Sequence, residues 1–122
     1  MLDETQTATL RAAIDRIIPP DDVSPGGVDA GAFDYLMGQL SANGDLAKWL
    51  PEYQTAMDAL DALARRDFGA SFVELDAGRQ DQALMRLESD SPRFFRAFAE
   101  HAQEGFYISP DAWKMIGWKV TG

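Results

Sequence analysis

Hydrophobic residues recur at helical spacing along almost the whole chain. Leu10, Ile14, Ile17 and Ile18 sit at i, i+4, i+7 and i+8, one face of a first helix. Asp3 or Thr5 stands at its N-cap. Pro19-Pro20 stops it, because proline lacks the amide hydrogen and its ring clashes with the preceding turn. Residues 21–27, Asp-Asp-Val-Ser-Pro-Gly-Gly, read as a loop. Phe33, Leu36, Met37 and Leu40 then form the stripe of a second helix, from about Val28 to Ala42, ended by Asn43-Gly44. Gly31 and Gly38 share one face of it, a spacing that permits close helix packing while weakening the helix.

A third and longest helix is predicted from Asp45 to about Asp67, with Trp49, Tyr53, Met57, Leu60, Ala64 and Phe68 in its stripe and Gly69 as its stop. Pro51 is a normal first-turn proline if that helix begins late, and a kink if it begins early. Asp76 caps a fourth helix carrying Ala83, Leu84 and Leu87. Ser91-Pro92 opens a fifth, with Phe94, Phe95, Phe98, Ala102 and Phe106 on its apolar side. Ser109-Pro110 repeats that start signal for a short last helix through Trp113 and Ile116, broken by Gly117. No segment alternates with period two. The expectation is an all-α fold: a single compact domain of five or six helices over residues 1–122.

Composition narrows the function. A chain of 122 residues has room for one core. The net charge of −9 repels phosphate backbones and argues against nucleic-acid partners. That charge is concentrated: residues 1–61 hold eleven acids against three bases, whereas residues 62–122 are nearly balanced. There is no cysteine, which removes disulfides, thiolate metal sites and a cysteine nucleophile. No apolar run approaches the roughly 18–20 residues of a membrane span, so an integral membrane protein is not expected. The first residues, Met-Leu-Asp-Glu-Thr, lack the basic and apolar regions of a signal peptide, so the chain as written reads as cytoplasmic.

Catalytic chemistry finds little support. His101 is the only histidine, and in Glu100-His101-x-x-Glu104 it shares a helix face with one acid. A di-metal carboxylate bundle needs that pattern twice, so the expectation is a helix-surface histidine beside two solvated acids and no metal. There is no Gly-x-Ser-x-Gly turn, no phosphate loop and no Rossmann spacing around Pro25-Gly26-Gly27. The informative part is the last quarter. Between Phe94 and Trp118 lie seven Phe, Tyr and Trp residues, and tryptophan and tyrosine are favoured interface anchors.

Four ordered pieces of this chain resemble the gluconate 2-dehydrogenase subunit 3 family. They are Ile17-Ile18-Pro19-Pro20-Asp21 with Pro25-Gly26-Gly27-Val28-Asp29-Ala30-Gly31 and Asp34-Tyr35; Leu60-Asp61-Ala62-Leu63-Ala64 with Phe68-Gly69-Ala70-Ser71-Phe72-Val73-Glu74-Leu75; Gln80-Asp81-Gln82-Ala83-Leu84 through Leu87 to Phe94-Phe95; and Glu104-Gly105-Phe106-Tyr107-Ile108-Ser109-Pro110 with Trp113-Lys114-Met115-Ile116-Gly117. They span about residues 10–118. Two departures stand in the last piece. Pro110-Asp111-Ala112-Trp113 lacks the family's Gly-Gly-Asn stretch, and Trp118-Lys119-Val120-Thr121-Gly122 replaces its aromatic-Pro-Gly ending.

The resemblance implies a non-catalytic small subunit that binds no cofactor itself. The family's large partner subunit carries FAD and oxidises an alcohol of a sugar, sugar acid or polyol, passing electrons to a cytochrome or another acceptor. The small subunit supports the folding and stability of the flavoprotein, and often its export behind a twin-arginine leader, which makes the periplasm the alternative location. The expected partner-binding residues are Gly105, Phe106, Tyr107, Pro110, Trp113, Gly117 and Trp118. Two other readings stay open on the residues alone. One is a stand-alone helical small-ligand or protein-binding domain with a pocket lined by Trp49, Tyr53 and Met57. The other is an independent enzyme using Glu104 or Asp111 as a base.

Overall fold

A computed structural model describes residues 1–18 and 31–107. Among them lie five α-helices and no strand: α1 (Glu4–Ile17), α2 (Ala32–Leu40), α3 (Leu50–Phe68), α4 (Ala77–Asp90) and α5 (Pro92–Tyr107). Two single 3-10 turns, Ala47–Trp49 and Phe72–Glu74, precede α3 and α4. The all-α expectation holds. The sixth helix expected at 109–116 lies outside the described residues, as do Pro110, Trp113, Gly117 and Trp118.

Local chemistry sets the helix ends. Asp3, not Thr5, caps α1. Its carboxylate accepts the Gln6 backbone N–H at 2.7 Å while the Gln6 side chain accepts the Asp3 N–H at 2.9 Å, a reciprocal capping box. Asp76 caps α4 by accepting the Arg79 N–H at 2.9 Å. Helix α2 is shorter than its apolar stripe suggests. Gly31 stands before it with φ +95°, so the helix cannot extend back through it, and Ser41 is extended after it. Helix α3 begins at Leu50, after the 3-10 turn rather than at Asp45, and Pro51 lies in its first turn, where a missing N–H costs nothing. Gly69 ends α3 in the left-handed region at φ +74°.

Helix α1 lies centrally and packs on each of the other four. Leu10, Ala13 and Ile14 of α1, Leu36 and Leu40 of α2, Met57, Leu60 and Ala64 of α3, Ala83 of α4, and Phe98 and Ala102 of α5 are all fully buried together. Polar contacts fix the helices around that core. Arg16 holds Asp81 of α4 through two bonds of 2.8 and 3.0 Å. Gln6 Nε2 donates to Asp58 of α3 at 3.0 Å. The Arg11 guanidinium lies 5.5 Å from the centre of the Phe33 ring on α2. The backbones of α2 and α5 run close together, whereas α3 and α5 stay further apart and meet through long side chains.

Candidate functional site

The side chains that fill the gap between α3 and α5 are aromatic. Tyr53 of α3 is completely buried and packs edge-on to Phe94 and Phe98 of α5, with ring centres 5.0 and 5.8 Å apart. One turn past Phe98, His101 lies nearly parallel to Tyr53 at 6.0 Å and edge-on to Trp49 at 5.3 Å. Its Nδ1 is 2.8 Å from the Tyr53 hydroxyl. His101 is thus a half-buried part of the interior and not a surface residue among solvated acids. The spacing on α5 gave no sign of this, because the partner is 48 residues away.

The electrostatics follow from burial. Loss of water pushes the Tyr53 hydroxyl pKa strongly upward, so it stays protonated. Burial also holds His101 below its ordinary value, against the opposing pull of Glu104 and Glu100. Glu100 is largely exposed and faces Arg96 at 3.6 Å, which weakens its influence. Among the described residues, no cluster of three His, Asp or Glu side chains could hold a metal ion. Glu104 lies beside the Tyr35 hydroxyl of α2, whose pKa is raised by burial first and by bonding to that carboxylate second. Glu104, the candidate base, thus faces the Tyr35 hydroxyl and the His101 ring. Asp111 lies outside the described residues.

An open groove of about 510 Å³ runs beside the aromatic joint, with Trp49, Pro51, Ala56, Leu87, Pro92 and Phe94 among its apolar walls. Only one of the three residues proposed to line a pocket is there. Trp49 borders the groove, while Tyr53 and Met57 are fully buried and reach no ligand. Their stripe faces the core, and the groove opens along the neighbouring face of α3.

Of the expected partner-binding residues, Gly105, Phe106 and Tyr107 form the last turn of α5. Gly105 is buried against α2. A Cβ there would stand 2.7 Å from Tyr35 Cδ2 and 3.1 Å from Ala32 Cα. Helix packing inside the chain accounts for a glycine at this position. Close packing therefore falls to Gly105. Gly31 is a cap outside the helix, and a Cβ on Gly38 would meet nothing within 4 Å.

The family model for gluconate 2-dehydrogenase subunit 3 matches residues 4–121. The chain belongs to that family. The match takes in every described helix of this subunit 3 family member, and the segment beyond α5 almost to the last residue. Neither the curated proteins nor the solved structures include a significant match to it. Among the described residues of this family member, no helix is long and apolar enough to cross a membrane.

Proposed function

We propose that this chain is the non-catalytic small subunit of a dehydrogenase complex, and that it binds and stabilises an FAD-dependent catalytic subunit acting on a sugar, sugar acid or polyol. The observation that carries the reading is the family match over residues 4–121. The geometry is compatible with it. The one histidine is engaged with Tyr53 inside the fold, and the aromatic joint packs on the helix that precedes the Trp113 and Trp118 segment in sequence. Flavin chemistry and electron transfer to a cytochrome or other acceptor belong, in this reading, to the partner subunits. The place of work is the compartment in which that flavoprotein folds.

The test is to express the FAD-dependent catalytic subunit proposed as its partner with and without this chain. The proposal predicts that the soluble yield and dye-linked dehydrogenase activity of the flavoprotein depend on co-expression, while the isolated chain shows no turnover. A flavoprotein that folds and turns over equally well alone contradicts the stabilising role. Turnover by the isolated chain contradicts the non-catalytic one.

A further inference from the structure

The joint between α3 and α5 contains one group that changes charge near neutral pH, and the group lies on the only side-chain hydrogen bond described between those two helices. Tyr53 is fully buried, and among the described residues its hydroxyl has one partner, His101 Nδ1 at 2.8 Å. No buried side-chain nitrogen or oxygen among those residues is left without a partner. With His101 as that one partner, an O–H that donates is the arrangement that strands no hydrogen among the described residues. The tyrosine O–H donates to an unprotonated Nδ1, and the ring proton sits on Nε2. In the reverse arrangement the hydroxyl hydrogen has no acceptor among the described residues.

We propose that His101 is a proton-operated latch: neutral, it pins α5 to α3 through Tyr53, and protonated, it releases that joint. On protonation Nδ1 gains a hydrogen and ceases to accept. It can then only donate to the tyrosine oxygen, which strands the hydroxyl hydrogen of a ring packed against Phe94 and Phe98. The imidazolium is also brought against apolar rings while half out of water. The charges facing the ring from α5 are Glu104 and Glu100. From α3 the contact is Tyr53, from the 3-10 turn the uncharged Trp49 ring, and from α2 Tyr35 engages Glu104. With the α3 and α5 backbones apart, the two helices meet through the rings of Tyr53, Phe94, Phe98 and His101, so the change falls on the aromatic joint.

The single histidine makes the test direct in the full chain. The imidazole Cε1–H resonance is followed between about pH 8 and pH 5, the range in which histidine titrates. The tryptophan fluorescence, to which Trp113 and Trp118 contribute beside Trp49, and the amide protection factors along α5, with exchange corrected for its intrinsic pH dependence, are read across the same series. The expected midpoint lies below the ordinary 6.5, with the fluorescence and the exchange changing at the same midpoint. Tyr53→Phe removes the bond that favours the neutral ring and moves the midpoint upward. His101→Asn keeps an acceptor near the Nδ1 position that cannot be protonated, so the pH step in exchange disappears. A midpoint at or above 6.5 overturns the latch, as does α5 exchange that ignores the titration or a step that persists in His101→Asn. These readings use the wild type and a conservative variant, so they stand even if Tyr53→Phe fails to fold.

Discussion

Gly105 and Gly38 are both helical glycines, yet a methyl group has opposite consequences at each. In a helix interior, glycine to alanine gains roughly 0.5–1 kcal/mol from reduced backbone freedom. At Gly38 nothing lies within 4 Å of the new Cβ, so Gly38→Ala is expected to raise stability by about that amount. At Gly105 the Cβ falls 2.7 Å from Tyr35 and 3.1 Å from the Ala32 backbone, and the backbone cannot turn aside as a side chain can. Overpacking of this kind costs about 1–3 kcal/mol, which outweighs the propensity gain, so Gly105→Ala destabilises. Urea melts of the two variants check the pair. Equal shifts of the same sign contradict the packing account. The sequence reported which glycines share a helix face but not which of them meets another backbone. That is why Gly31 and Gly38 drew attention and Gly105 read as a partner contact. His101 was hidden for the same reason, since its bond to Tyr53 joins residues 48 apart.

At the scale of elements, the connection between α3 and α4 depends on one carboxylate. Asp61 accepts the Phe72 backbone N–H at 3.0 Å and the Arg65 side chain at 3.0 Å, and the Gln80 side chain closes the same turn by donating to the Phe72 carbonyl at 3.1 Å. Asp61→Ala leaves a partly buried amide unpaired and is expected to cost about 1–3 kcal/mol. Asp61→Asn keeps an acceptor and should recover most of the loss in thermal melts. Equal losses in the two variants contradict the assignment.

Arg16 and Asp81 tie α1 to α4 with paired bonds, but Asp81 is 46% exposed, so water screens the pair and a double-mutant cycle is expected to give at most about 1 kcal/mol. The Asp81 carboxyl is held below the ordinary 3.8 by its bond to Arg16. Its contribution is therefore full above pH 3.8 and lost as pH falls through the lowered value. A coupling energy unchanged between neutral pH and strong acid contradicts this. Helix ends were the legible part of these elements. Asp3, Asp76, Pro51 and Gly69 act within one turn of themselves, so their chemistry is visible in the sequence. The 3-10 turn before α3 and the early end of α2 at Ser41 depend on how the segment from Gln39 to Leu46 folds back on itself, with the Leu46 N–H bonded to the Gln39 carbonyl at 2.9 Å.

For the molecule as described, the apolar stripes of the five described helices converge on one core, and periodicity alone was enough to indicate that arrangement. The family was legible only through motif order, because among the described residues no constellation of side chains announces it. Under the proposed role, Trp113→Ala or Trp118→Ala weakens the complex by about 2 kcal/mol or more while the isolated chain keeps its melting temperature. Variants that unfold the isolated chain assign those rings to its own interior. The central claim is that this family member works as part of a flavoprotein dehydrogenase. Its most direct test is co-expression with the flavoprotein proposed as its partner, capture through this chain, and an absorption spectrum of the eluate. The account predicts a yellow complex of defined stoichiometry with a flavin band. A colourless chain eluting alone, with the flavoprotein present and folded in the same cells, contradicts it.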